Sequence, residues 1–376
     1  MPSIALIHEW FQQYTGSEKV VEQILHLYPD ADLFSLVDFT SREDRRFLQN
    51  KSVSTSFIQN LPFASRLFRL YLPLMPLAVE QIDLTHYDMV ISSSHAFSKG
   101  VITSPDQLHI SYVHSPIRYA WDMQFEYLHD SNLDKGPKSW LTRMLLHYLR
   151  MWDVRSVNGV DQIVANSEFI ARRIWRIYRR ESTVINPPVD VDSFPFQKEK
   201  EDFYITISRL VPYKKVSRIV QAFAKMPDRK LVVIGSGSEL EKIKGLATPN
   251  IQLLGHQPQS VVRDYLKNAR AFVYAAKEDF GIAPVEAQAC GTPVIAYGRG
   301  GVLETIKGIN QSSPTGLFFY EQTPDCICNA VREFESKNTQ FESEACRLNS
   351  LQFATSHFLE KFSAFVEKSW DQHQNQ

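Results

Sequence analysis

The sequence predicts an α/β protein built on parallel sheets and divided between two domains. Three observations lead there. Short apolar runs alternate with helical patterns along the whole chain. Several of those runs are apolar throughout, as strands covered on both faces must be. The length, 376 residues, exceeds one ordinary core and suits two domains. Strand-then-helix alternation makes each strand parallel to the last, through right-handed crossovers.

In the first half the strands fall at residues 4–7, 89–92, 109–113 and 162–165. In the second half they fall at 203–207, 231–234, 251–254, 271–274 and 294–296. Between the two sets stands Asn186-Pro187-Pro188, followed by the polar stretch 197–202. Each proline denies its predecessor the α region, so the stretch reads as an extended linker. The domains are therefore placed at 1–190 and 200–355. Residues 356–370 form a last helix with Phe358, Leu359, Phe362, Val366 and Trp370 at helical spacing. That helix needs a surface to cover, and residues 356–376 are expected to pack back on the first domain.

Composition narrows the function classes. A net charge of −1 argues against a nucleic-acid binder. Four cysteines in 376 residues are too sparse for a disulfide scaffold and suit a reducing compartment. Cys326 and Cys328 lack a second ligand pair and read as helix packing. The first strand has no basic flank or cleavage site of a signal peptide. The most apolar stretch, 61–79, contains Arg66, Arg69, Pro73 and Pro76 and does not read as a membrane span. The expectation is a cytoplasmic protein, peripheral on the inner membrane.

Charge is uneven. Between residues 135 and 180 ten Lys or Arg face three acids, a local excess of seven. Within it, residues 140–152 carry Leu141, Met144, Leu145, Tyr148 and Trp152 as an amphipathic stripe. The simpler reading is a core-facing helix with a solvated basic face. The other is a surface that leans on anionic lipid headgroups.

The stretch from Glu278 to Pro293 carries the most chemistry. It follows strand 271–274, turns through Gly281 and enters a helix in which Pro284 suits the first position and Gly291 the exit. The loop Phe280-Gly281-Ile282-Ala283 offers N–H groups at a helix N-terminus, where a diphosphate can sit. Glu286, read in the first helical turn, can accept hydrogen bonds from both hydroxyls of a ribose. Glu278 would face the other end of the ligand. Arg209 and Lys214 follow the first strand of the second domain, where open α/β sheets bind ligands, and could neutralise a leaving diphosphate. Lys215 reads as surface. Taken singly, each of these groups could equally be a solvated charge.

Together they resemble a known family. Glu278 and Glu286 match the E-x7-E motif, and Arg209 and Lys214 the R-x4-K element, of retaining glycosyltransferases of family 4, which have the GT-B fold. The resemblance extends to 298–304, 315–317, 165–171 and 184–192, and so covers most of the chain. It implies two Rossmann-like domains with parallel sheets facing across an interdomain cleft, and metal-independent transfer from a nucleotide sugar. It assigns Arg209 and Lys214 to the diphosphate, Glu286 to the ribose and Glu278 to the sugar hydroxyls. Backbone donors come from Phe280, Gly281, Ile282 and Ala283. His114, at the end of strand 109–113, matches the family's sugar-contacting histidine. Arg118, Tyr119, Trp121 and Asp122 are typical of a mannosyltransferase-like subgroup and would shape the acceptor side. One departure stands at Gly16, a single glycine in Tyr14-Thr15-Gly16-Ser17-Glu18-Lys19 where members often have a pair. Gly16 still permits close approach to the donor.

The resemblance implies no cofactor and no metal. Asp190-Val-Asp192 and Asp30-Ala-Asp32 superficially match a metal-binding Asp-x-Asp, but neither lies beside the phosphate elements. GDP-mannose is the favoured donor, with a UDP-sugar as the alternative; backbone near Gly255 and His256 would read the base. The acceptor is expected to be a glycan or lipid-linked saccharide for polysaccharide or envelope assembly. An anionic membrane surface is a further expected partner. An epimerase or phosphorylase of the same fold, and a non-catalytic nucleotide-sugar-binding subunit, are the competing readings.

Overall fold

The computed structural model describes residues 2–41 and 44–375. The chain divides into two compact units, one comprising 1–188 with 358–376 and the other 189–357.

The first unit holds seven parallel strands: β1 (Ile4–Phe11), β2 (Asp32–Asp38), β3 (Val53–Thr55), β4 (Met89–Ser94), β5 (Leu108–Val113), β6 (Gln162–Ala165) and β7 (Thr183–Val184). Their order across the sheet is β3-β2-β1-β4-β5-β6-β7. β4 and β5 are buried along their whole length, their apolar residues joined by buried Ser92, Ser93, Ser94, His109 and Ser111. β3 and β7 lie at the two edges and span three and two residues, too few to show a period. β2 also escapes a periodic reading, because aspartates at both ends and Ser35 interrupt its apolar residues.

One face of this sheet is covered by helix Gly16–Leu27 and by the terminal helix Thr355–Gln374, whose Phe358, Phe362 and Val366 are buried beside Leu6, Ile110 and Tyr112. The Phe358 and Phe362 rings stack at 5.4 Å, and Tyr112 meets each edge-on. The other face packs Phe68, Met75, Leu146, Leu149 and Trp152 against Ala5, Ile7 and Val90. There Lys99 is buried, its ammonium 2.5 Å from Asp153 Oδ1 and 2.8 Å from Ala96 O. Asp153 also accepts from the Trp121 indole at 2.7 Å and from the Tyr178 hydroxyl, so the buried charge is fully engaged.

The helix Gly136–Ser156 faces the core, as in the simpler sequence reading, but through other residues than the stripe. Its buried residues are Ser139, Leu146, Leu149, Trp152 and Asp153. Of the stripe read from the sequence, only Trp152 is buried, while Leu141, Met144 and Tyr148 face solvent. The helix is apolar on two sides, and periodicity alone does not say which side packs.

The second unit holds six parallel strands: β8 (Tyr204–Ile207), β9 (Leu231–Ile234), β10 (Ile251–Gly255), β11 (Ala271–Tyr274), β12 (Val294–Tyr297) and β13 (Gly316–Phe319), in the order β10-β9-β8-β11-β12-β13. Helices Val216–Ala224 and Pro324–Ser336 bury one face, and Gln259–Asn268 and Ile282–Ala289 the other. Cys328 is buried on the second of these helices, and all four cysteines are free thiols. The polar stretch before β8 is fixed to this unit: the Lys200 ammonium donates to Lys267 O, Cys290 O and Thr292 Oγ1. Burial pushes its pKa down to about 8.

Each sheet has one place where successive crossovers turn in opposite directions. In the first unit it lies between β1 and β4, and in the second between β8 and β11. Loops leaving the C-terminal ends of such a strand pair splay apart and leave a crevice.

The buried polar groups set a pH dependence. His109 has no exposed surface; its Nε2 lies 2.9 Å from Ser92 Oγ and its Nδ1 3.0 Å from Gly159 O. Burial lowers its pKa from 6.5 to about 4. Below pH 6.5 the unfolded chain takes up a proton that the folded chain refuses, so stability falls as pH drops from 6.5 towards 4. At pH 5.5 this one residue is expected to cost about 1.4 kcal/mol. Urea unfolding midpoints at pH 7.5 and 5.5 should differ, and His109→Gln should narrow the difference; an unchanged difference would contradict this assignment.

Candidate functional site

The second unit gathers most of the predicted residues at the β8–β11 crevice. After β8 the chain runs through Ser208 and Arg209 to a short 3-10 turn, Pro212–Lys214. This loop is fixed from below by glycine. Gly235, at φ +143, sits where a Cβ would come within 1.8 Å of Ser208 O, and Leu210 N donates to Ser236 O at 2.8 Å. After β11 the chain passes through Lys277, Glu278 and Asp279 to Gly281, whose φ of +98 turns it into helix Ile282–Ala289.

Across the crevice the Lys214 ammonium meets the Glu278 carboxylate, each side chain about one-seventh exposed. Tyr274, at the end of β11, lies 3.4 Å from the same ammonium. Burial, and then the neighbouring Glu278 charge, raise the Tyr274 hydroxyl well above its ordinary pKa, so it stays protonated. Arg209 is exposed and donates to the Tyr213 hydroxyl at 2.6 Å. The backbone of Glu278 is clamped by the glycine run after β12. Gly301 N donates to Glu278 O at 2.8 Å, and a Cβ on Gly300 (φ +87) would lie 2.3 Å from that oxygen.

Helix Ile282–Ala289 differs in detail from the sequence reading. Pro284 is its third residue rather than its first, and Glu286 its fifth, one turn deeper than predicted. Glu286 is nevertheless buried, as are Phe280 and Gly281, while Ile282 and Ala283 are partly exposed. The first-turn N–H groups of a helix have no acceptor within it and carry partial positive charge. Gly291 follows the helix with φ +77, the left-handed exit expected of it.

In the first unit a second polar cluster lies at the β1–β4 crevice. His114 follows β5; its Nε2 is 2.9 Å from Ser93 Oγ, and its carbonyl accepts from Asn166 at 3.0 Å. Among the described residues no hydrogen bond to its Nδ1 is seen. Burial, then the positive fields of His95 and His8, lower its pKa to about 3. It is therefore a neutral imidazole at neutral pH, suited to hydrogen bonding rather than to carrying charge. Gly16 opens helix Gly16–Leu27 next to a capping box in which the Glu18 carboxylate receives Thr15 N at 3.0 Å.

Three residues here were missed by sequence reasoning. His8 bridges Ser93 Oγ at 3.1 Å and Glu18 Oε1 at 3.3 Å. Glu18 is held at about 2: burial alone would raise it, but the hydrogen bond and charge of His8 and the Thr15 donor outweigh that. Glu9 accepts backbone N–H groups from His95, Ala96, Phe97 and Ser98 at 2.8–3.2 Å. Burial opposes its charge, yet His95 and these amides bring its pKa down to about 2. The available signal was a His-Glu pair inside an otherwise apolar strand, since a charge buried there needs partners. Of the run after His114, Trp121 binds Asp153 and Asp122 pairs with Arg173, so both brace neighbouring helices.

Two family models together match residues 14–348: "Glycosyltransferase Family 4" over residues 14–193 and "Glycosyl transferases group 1" over 190–348. The chain belongs to this glycosyltransferase family. Its relatives include D-inositol 3-phosphate glycosyltransferase of Mycobacterium sp. (strain KMS), 30% identical over 39% of this chain and 39% of that protein. Another is alpha-1,3/1,6-mannosyltransferase ALG2 of Saccharomyces cerevisiae, 28% identical over 43% and 44% of the two chains. The chain thus spans about two fifths of the length of these relatives. Among solved structures, sucrose-phosphate synthase from Thermosynechococcus elongatus superposes with a TM-score of 0.74 at 16% identity, over 99% of this chain and 100% of that one. HepE of Anabaena, in complex with UDP and glucose, gives 0.68 at 16% identity over 98% and 100%. The fold is GT-B, with two parallel-sheet units of seven and six strands.

The clamp on Glu278 makes a stability prediction. Gly300→Ala should lower the urea midpoint by the equivalent of about 1–3 kcal/mol, from positive-φ strain and the collision with Glu278 O. Gly245→Ala, in helix Leu240–Leu246 with open space around it, should raise stability by about 0.5–1 kcal/mol. Equal effects of the two would remove the clamp from the account.

Proposed function

We propose that this protein is a retaining, metal-independent hexosyltransferase that moves a sugar from a nucleoside diphosphate to an acceptor hydroxyl. The observation that carries the reading is the meeting of Lys214 and Glu278 across the β8–β11 crevice, beside the N-terminus of helix Ile282–Ala289. The transition state of such a transfer is oxocarbenium-like, with positive charge on the ring and growing negative charge on the departing diphosphate. Arg209, Lys214 and the first-turn amides after Gly281 supply fixed positive charge for the diphosphate. Glu286 takes the ribose and Glu278 the sugar hydroxyls, while His114 gives the sugar a neutral hydrogen-bonding partner through Nδ1.

A double displacement needs a carboxylate beneath the anomeric carbon. Glu278 is engaged with Lys214 and is assigned to hydroxyls, so the departing diphosphate itself takes the acceptor's proton. GDP-mannose is the favoured donor, supported by the subgroup run from Arg118 to Asp122 and by the mannosyltransferase among the relatives. A UDP-sugar is the second reading, favoured by the UDP found in complexes of HepE. The acceptor is proposed to be a glycan or lipid-linked saccharide, on the cytoplasmic side of the inner membrane.

Thermal melting with GDP, UDP, ADP, GDP-mannose and UDP-glucose, without metal and again with EDTA, tests the donor. A guanine-selective rise that survives EDTA supports the first reading and a uridine-selective rise the second; no rise with any nucleotide overturns both. Glu286→Ala should weaken donor binding at least about tenfold, by loss of charge-assisted hydrogen bonds. Lys214→Ala should cut turnover about 10²–10³-fold. Unchanged values in both variants would remove the site assignment.

A further inference from the structure

The first unit presents an outer surface rich in exposed apolar and cationic side chains that neither its core nor the donor site accounts for. Two elements form it. Residues 57–80 run as short helical turns along one face of the sheet, and helix Gly136–Ser156 covers the same face. Phe68, Met75, Leu149 and Trp152 share one core cluster beneath them. Glu80 ties the elements together, accepting from the Trp152 indole at 2.8 Å and from Arg155 at 3.3 Å.

Their outward sides are apolar to a degree that solvent does not favour. On the first element Phe63 and Leu70 are 74% and 71% exposed, with Leu67 and Leu77 alongside. On the second, Trp140 and Leu141 are 67% and 66% exposed, followed by Met144 and Met151. Singly exposed apolar residues are ordinary, but two adjoining elements that both turn bulky side chains outward mark an interaction surface. Charge gives the kind of partner. Residues 57–79 contain no Asp or Glu, and the one acid in helix Gly136–Ser156, Asp153, is buried against Lys99. The fully exposed charges are Arg66, Arg69, Lys138 and Arg155, the last paired with the half-buried Glu80.

We propose that this surface docks the protein on an anionic lipid bilayer, with the apolar side chains entering the headgroup boundary and the cations meeting lipid phosphates. A bilayer supplies both an apolar layer and a negative plane, which is the complement of what the two elements display. A second copy does not fit: Arg66, Arg69 and Lys138 of one face would meet the same cations of the other. No helix among the described residues is long and apolar enough to cross a membrane, so attachment is from one side. The proposal stands on these two elements alone and is independent of the donor site.

Flotation of the full chain with vesicles of phosphatidylcholine and phosphatidylglycerol, seven to three, tests it against pure phosphatidylcholine. Binding should be at least about tenfold tighter to the anionic vesicles and should weaken when salt rises from about 0.1 to 0.5 M. Arg66→Gln with Arg69→Gln should cost about fivefold per cation, and Leu70→Ser with Trp140→Ser should abolish binding. All four positions are exposed, and far-UV circular dichroism and the urea midpoint of each variant verify that it is folded. Absence of flotation at low salt overturns the proposal, as do folded variants that bind like the parent. A dimer of the parent in sedimentation, lost in the Leu70→Ser/Trp140→Ser variant, also overturns it by making the face a self-interface.

Discussion

The structure depends on where each parallel sheet reverses its direction of winding. Hydrogen bonding of β1 to β4 and of β8 to β11 brings together strands far apart in sequence, and the loops beyond their C-terminal ends are forced apart. Arg209, Lys214, Glu278 and His114 all lie beyond such a strand or its neighbour. Helices on both faces bury the strands, so the loop ends are the places where backbone and charge can meet a ligand.

The two crevices are completed differently. At the first, the amides of residues 95–98 point at one place, an arrangement that would attract an anion, but Glu9 of β1 fills it. The chain thus uses a buried carboxylate to lock strand to loop, with His114 close by as a neutral imidazole. At the second, Glu278 pairs with Lys214 across the strand ends. One sheet closes its amide cluster with a buried carboxylate, while the other joins its two strand ends through an ion pair.

Much of this was legible in the sequence and some was not, for identifiable reasons. Nine runs marked strands, because burial on both faces leaves several of them apolar throughout; β3 and β7 are too short to leave such a mark. The spacing of Glu278 and Glu286 around a glycine turn was legible because it is local. The meeting of Lys214 with Glu278 was not, since it depends on the pairing of β8 with β11. Glu286 reads one turn too early because Pro284 looks like a first helical residue, whereas Gly281 starts the helix sooner. For helix Gly136–Ser156, periodicity showed apolar residues but not their direction, and the exposed set proved to be most of the stripe.

The terminal helix has a consequence for how the chain is made. The first unit closes its core with Phe358, Phe362 and Val366, which the ribosome supplies only after all of residues 189–357. Domains ordinarily fold in order of synthesis, N-terminal first. Here the first unit emerges with Tyr112 and Ile110 uncovered and acquires its last layer after the second unit has been translated. The second unit is continuous in sequence and is the first able to finish folding. The order of completion is therefore the reverse of the order of synthesis, and the early unit must stay soluble with an apolar face open until the end.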